Sequence, residues 1–236
     1  MAKRSKRRQT KKQKIISRLI TITCLAVFLY ASYGLISTYL DYHQNRKVLG
    51  QVQDLYYQTP DSDEDMTVQS RSDGTQIRSG FDALLAQNEH VVGWITIEGT
   101  KIDYPVLQTE NNEDYMYTNF FGKDSRAGSI FLDYRNDITT ENKNTILYGH
   151  RMKDGTMFQN LTKYLDREFF ETHGTFTFDT LYDQYEAEVF AVYKTLVDFY
   201  YIETDFSNDA EFAALIDDIQ ARSLFKSDVE VTSGDH

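Results

Sequence analysis

The chain has 236 residues, with 25 basic and 36 acidic side chains and a formal charge of −11 at pH 7. Nine of the 25 basic residues, and no acid, fall within Met1–Arg18, so the remaining residues carry 16 basic against 36 acidic groups, or −20. A surface that acidic repels phosphates and gains nothing from counterion release, which excludes nucleic acid as a partner. The single cysteine, Cys24, excludes a disulfide scaffold and a cysteine-ligated metal site.

The first predicted element is a membrane anchor. Leu19–Leu40 is a run of 22 residues without an acid or a base of the Lys, Arg or His type. At about 1.5 Å of rise per residue it matches the roughly 30 Å of a bilayer's hydrocarbon core. The basic residues 1–18 then form a cytoplasmic tail beside anionic lipid, and everything after Leu40 faces outward. The rival reading is a cleaved signal peptide. It would need a small-x-small site, of which Ala31-Ser32-Tyr33-Gly34 is a poor version.

Residues 41–80 read as a juxtamembrane stalk. Tyr42–Tyr57 is able to continue the helix, but Pro60 and the acidic run Asp61-Ser62-Asp63-Glu64-Asp65 break any apolar period, and Ser70–Gly80 is polar and turn-rich. A globular domain is predicted over 81–236. Phe81, Leu84 and Leu85 mark a short amphipathic helix. Strand-length apolar runs follow at Val92–Ile97, Ile102–Leu107, Ser129–Leu132 and Thr145–Tyr148, with a helix over Met157–Phe170. Another strand pair, Thr175–Phe178 and Glu186–Tyr193, turns through Leu181-Tyr182-Asp183. Phe212, Leu215, Ile216 and Ile219 predict a helix capped by Ser207 or Asn208, and Val229–Thr232 resumes a strand pattern. The class is mixed and mainly β, a barrel or a sandwich with added helices.

No phosphate loop, dinucleotide fingerprint, zinc-protease helix, nucleophile elbow or calcium-hand spacing occurs in the chain, and no pattern calls for a metal or cofactor. Asp61–Asp65 lacks the glycine and terminal glutamate of a dedicated calcium loop and reads as a solvated linker. Five histidines remain as acid–base candidates. His43, His90, His173 and His236 have surface or capping positions. His150 differs: it follows Thr145-Ile146-Leu147-Tyr148-Gly149, where an apolar strand ends and a glycine lets the chain turn. From the residues alone, catalysis and a satisfied structural role stay equally open for it.

Several blocks resemble the class B sortases. They are Val92-Gly93-Trp94-Ile95-Thr96-Ile97, Gly99-Thr100-Lys101-Ile102-Asp103-Tyr104-Pro105-Val106, Gly128-Ser129-Ile130-Phe131-Leu132-Asp133, Asn144–Met152 and Asp154-Gly155-Thr156-Met157-Phe158, in family order. A looser likeness reaches the helix around Phe212–Ile219. The resemblance implies a β-barrel with added helices, and a cysteine thiolate that cleaves a sorting motif of secreted proteins and passes the acyl group to an amine of a cell-wall precursor or a pilin. It implies that His150 protonates the departing amine. Asn112 and Met116, spaced i and i+4 on a short helix, then border the peptide groove, with Tyr148, Tyr201 and Ile202 contributing to it. Ordinary packing stays open for each of these five.

One departure bears on activity. The family carries its cysteine at the end of a strand shortly after the position of Val229–Thr232, and an arginine on the next strand. Neither position is present here, so the resemblance implies an incomplete barrel lacking its last strands and a chain inactive as it stands. Cys24, within the apolar run, is no substitute. The competing reading is a catalytically dead, membrane-anchored protein that binds peptides; a generic anchored adhesin leaves the ordered blocks unexplained.

Overall fold

The computed structural model describes residues 10–58, 69–70, 76–140 and 142–231. The acidic run Asp61–Asp65, Thr232 and His236 lie outside the described residues. Residues up to Gln44 and residues from Asn45 onward form two compact units.

Helix α1 runs over Lys11–Tyr57. It is long and apolar enough to cross a membrane, and within the first unit its apolar side chains, Leu19, Ile20, Phe28 and Leu35 among them, are exposed. In the second unit the character of the helix changes. Asn45, Val48 and Val52 recur at three- and four-residue spacing and are buried, as expected of an amphipathic helix with one face on a core. The compact unit therefore begins at Asn45, well ahead of residue 81, and residues 45–57 pack rather than forming a stalk. Tyr56 stacks flat on Trp94, with 4.0 Å between ring centroids. Its neighbour Tyr57 donates to Asp103 Oδ1 over 2.8 Å, and Trp94 Nε1 donates to the same oxygen over 2.7 Å.

The second unit is built on a mixed sheet. Strands β1 (Gln69–Ser70) and β2 (Gln76–Ile77) form a small antiparallel pair. After the short helix α2 (Asp82–Leu85) come β3 (Val91–Thr96), β4 (Asp103–Leu107), β5 (Ile130–Leu132), β6 (Leu147–Tyr148), β7 (Thr175–Thr180) and β8 (Gln184–Glu188). These six run in the order β6-β5-β4-β3-β7-β8, curled into a half-barrel, with β4 and β5 the parallel pair. Pro105 breaks no ladder bond in β4, because pairing with β5 begins one residue later, at Val106↔Ile130.

Side chains alternate between two apolar clusters, one on each face. Trp94, Leu107 and Phe131 join Val48, Val52, Phe81 and Leu84 in the first cluster. Ile95, Val106, Ile130 and Leu132 join Ile102, Tyr104, Met157 and Phe170 in the second. Burial on both faces explains why these strands read as continuous apolar runs rather than as alternating ones.

Three expectations are corrected. The helix expected over Met157–Phe170 is a 3-10 helix, Phe158–Leu165, followed by α3 (Arg167–Thr172). The break falls at Asp166, whose extended backbone lets its carboxylate accept from Phe169 N and cap the second helix. The strand expected over Glu186–Tyr193 stops at Glu188, where the pairing of β8 with β7 ends. Val229–Val231 is irregular, not a strand, and has no ladder partner among the described residues. Helix α4 (Asp209–Arg222) stands where the periodicity placed it, with Asn208 as its cap. The Asn208 side chain accepts from Glu211 N, and Glu211 in turn accepts from Ser207 N over 2.8 Å.

Trp94 is 1% exposed and joins β3 to α1 by stacking and to Asp103 by its indole N–H. Trp94→Ala is expected to cost about 3–5 kcal/mol of stability in urea unfolding, and a loss below about 1 kcal/mol would contradict this packing.

Candidate active site

Two features lie at opposite ends of β6, Asp133 opposite Ile146 just before it and His150 just after it. The first is His150. Strand β6 pairs with β5 through Phe131↔Tyr148, and Gly149 follows. A Cβ on Gly149 would lie 2.4 Å from Ile130 Cδ1 and 2.7 Å from Phe158 Cδ2, so any larger residue here would have to shift these side chains. The backbone then turns through an isolated bridge, Arg151↔Met157, with Phe158 N donating to His150 O over 2.9 Å. This delivers a half-buried imidazole whose Nε2 lies 2.8 Å from the carbonyl oxygen of Met116. The exposed ring of Tyr117 leans on it, with centroids 5.3 Å apart.

The second feature is the carboxylate of Asp133, immediately after β5 and 0% exposed. It accepts five hydrogen bonds. Arg135 supplies three, from its backbone N (3.0 Å) and Nε (2.8 Å) to Oδ1 and from Nη2 (2.8 Å) to Oδ2. Tyr148 Oη (2.8 Å) and Asn112 Nδ2 (3.0 Å) both donate to Oδ2. Arg135 is itself shared: Nη2 donates to the carbonyl of Ile202 over 2.7 Å and Nη1 to Tyr200 Oη over 3.1 Å. Burial by itself would raise the Asp133 pKa, but the donated hydrogen bonds, led by those of Arg135, outweigh it and hold the group well below the usual carboxylate range. The Tyr148 hydroxyl is pushed up, first by burial and then by its bond to Asp133.

The positions singled out in the sequence are thus largely brought together. Asn112, Tyr148 and Ile202 converge on Asp133–Arg135. Tyr201 lies beside them, its carbonyl accepting from Asn144 Nδ2 over 3.2 Å and its ring against Tyr193 and Phe199. Met116 is partly exposed at the end of a 3-10 turn, Asp114–Met116. Asn112 precedes that turn, so the two do not share one short helix as their spacing suggests.

Of the other histidines, His90 Nδ1 is 2.8 Å from Tyr115 Oη, His173 stacks on Phe169, and His43 stacks on Tyr39. Cys24 is exposed on α1, in the first unit. Among the described residues no group of three or more His, Cys, Asp or Glu side chains is placed to hold a metal. Sequence reasoning missed Asp133 and Arg135 as a pair. Their only signal is the Asp-x-Arg spacing after an apolar strand, which does not by itself foretell partners in three separate segments.

Comparison with known proteins decides the family. The Sortase domain matches residues 95–211. Sortase B of Listeria monocytogenes is 37% identical over 220 residues, covering 93% of this chain and 86% of that protein. The chain belongs to the class B sortases. Among solved structures, sortase B from B. anthracis in complex with AAEK1 superposes with a TM-score of 0.74 at 47% identity, covering 83% of this chain and 88% of the other. The Staphylococcus aureus sortase B–substrate complex gives 0.74 at 36% identity, covering 82% and 85%. The sortases are cysteine transpeptidases, so the half-barrel belongs to an enzyme family whose chemistry needs a thiolate and a proton donor. The guanidinium of Arg135 is engaged by Asp133, Ile202 and Tyr200.

The depressed pKa of Asp133 gives a signed prediction. Its folded value lies below the unfolded one, so the stabilisation is fully present above about pH 4 and fades as pH falls through the folded value. Asp133→Asn removes one partner of a buried pair and is expected to cost on the order of 3 kcal/mol at pH 7. It should also flatten the loss of stability of the native chain between about pH 4 and pH 2. Urea unfolding across that range checks both, and an acid limb unchanged by the substitution would contradict the assignment.

Proposed function

We propose that this class B sortase holds a sorting-motif peptide of a secreted protein in the groove bordered by Asn112, Met116, Tyr148, Tyr201 and Ile202, with His150 as the proton donor. The single observation that carries the reading is the convergence of Asn112, Tyr148 and Ile202 on the buried Asp133 and its partner Arg135, beside β6, the strand that His150 follows. In the reaction of this family, a thiolate adds to the scissile carbonyl and forms a carbon–sulfur bond. Collapse of that adduct breaks the carbon–nitrogen bond, and the imidazolium gives its proton to the departing amine. An incoming amine, of a cell-wall precursor or a pilin, then adds to the thioester carbonyl, gives its proton to the now neutral imidazole and expels the thiolate. The apolar helix supports a membrane setting for this chemistry: in this reading residues 1–18 are the cytoplasmic tail, 19–40 the anchor, and the domain faces outward.

The second reading rests on composition. These 236 residues hold one thiol, Cys24, inside the apolar run of the first unit and not in the unit that holds His150. On this second reading these 236 residues by themselves bind a sorting peptide without turning it over.

The test is the full chain in detergent with a fluorescent sorting peptide and a small amine. Saturable binding without transfer product is expected, and Tyr201→Ala should weaken binding about tenfold by removing an aromatic wall. Absence of binding would contradict the groove, and product formation would contradict the second reading.

A further inference from the structure

His150 reaches the peptide end of the domain with one of its nitrogens already committed. Nε2 lies 2.8 Å from the carbonyl oxygen of Met116, and a carbonyl only accepts. Nε2 must therefore carry a hydrogen in the neutral ring as well as in the imidazolium. The additional proton of the imidazolium is then the one on Nδ1. We infer that the Met116 backbone carbonyl fixes the tautomer of His150, making Nδ1 the nitrogen that hands over the proton, and that Gly128 is the positioning residue that leaves room for this carbonyl. The inference rests on the proposed role of His150 and assigns that role to one atom.

The acceptor is held on several sides. Met116 closes the turn Asp114–Met116, with its N donating to Glu113 O over 3.1 Å. Ser129 N donates to Tyr115 O over 3.0 Å, and Ser125 N to Tyr117 O over 2.8 Å, so the carbonyls before and after Met116 are both pinned. The buried Tyr115 ring anchors the same turn from below, its hydroxyl 2.8 Å from His90 Nδ1 and 3.0 Å from Asn88 Nδ2. Gly128 presses against this turn at φ +58°. A Cβ there would stand 2.4 Å from Met116 O, 2.6 Å from Tyr115 O and 2.9 Å from Met116 C. Those neighbours are backbone and have no rotamer into which to retreat, so a side chain at 128 must displace the acceptor from its place at the imidazole. Gly122 supplies the internal control: it also has positive φ, +72°, but nothing lies within 4 Å of its Cβ position. Alanine at 122 bears the backbone strain alone; alanine at 128 bears the strain and moves the carbonyl.

The experiment uses the full chain in detergent micelles, labelled with 15N-histidine. Two-bond proton–nitrogen correlations report the tautomer of each neutral ring, and His150 is assigned by the signals lost in His150→Gln. The expected result is an Nε2–H ring with little or no Nδ1–H form. Gly128→Ala should raise the proportion of Nδ1–H roughly tenfold, as befits the loss of one hydrogen bond, while Gly122→Ala leaves it unchanged. An Nδ1–H ring in the unsubstituted chain, or equal behaviour of the two alanine variants, would overturn the inference. Should Gly128→Ala fail to fold, an ester in place of the Met116–Tyr117 amide weakens the same acceptor without adding a contact, and the same comparison applies. No peptide or turnover enters these spectra, so their failure is distinct from failure of the groove reading.

Discussion

A carboxylate taken out of water costs several kcal/mol unless fixed donors replace its hydration. Asp133 has no exposed surface and is met by five donors, and that requirement organises this end of the domain. Satisfying it draws in Asn112 from the segment after β4, Tyr148 from β6 and Arg135 from its own turn, while the guanidinium's remaining donors reach Tyr200 and Ile202. Segments far apart in sequence are thereby held in one arrangement by a single charge. The energy lies in completeness: with any one donor missing, the pair would be a liability and not a support.

The same strand carries the second constraint. Tyr148 points to the carboxylate, and two residues later His150 turns out to the Met116 carbonyl. Gly149 lets that turn happen between Ile130 and Phe158, and Gly128 lets the opposing turn come close enough to accept. Tyr148 and the imidazole are therefore placed by the short β5–β6 pairing, Phe131↔Tyr148 and Leu132↔Leu147. Membership of the class B sortases gives this arrangement its chemical context, and the arrangement explains why the family's Gly128–Asp133 and Asn144–Met152 stretches belong together: one supplies the glycine and the carboxylate, the other the hydroxyl and the histidine.

How far the sequence disclosed this differs by element. Apolar runs bounded by glycine placed the central strands, because both faces of the sheet are buried and leave a continuous signal. The cap and period of α4 were equally legible. The packing of residues 45–57 was not, since Val48 and Val52 are spaced sparsely among polar side chains, and the cluster that buries them, Phe81, Trp94 and Leu107 among it, lies far along the chain. Among the site residues, His150 stood out by its position after Tyr148-Gly149, and the groove positions came from family likeness. Asp133 and Arg135 had no comparable mark, because a charge reads as surface until its partners are known. The Met116 carbonyl was beyond reach for a simpler reason: backbone acceptors have no sequence.

The central claim is that the Asp133–Arg135 pair shapes a groove for a sorting peptide next to His150. A crystal structure of the chain with such a peptide bound tests it most directly. The account predicts the peptide between Asn112 and Met116 on one side and Tyr201 and Ile202 on the other, its scissile bond facing His150 and the ion pair intact. A peptide seated elsewhere on the domain, or one that displaces Arg135 from Asp133, would contradict it.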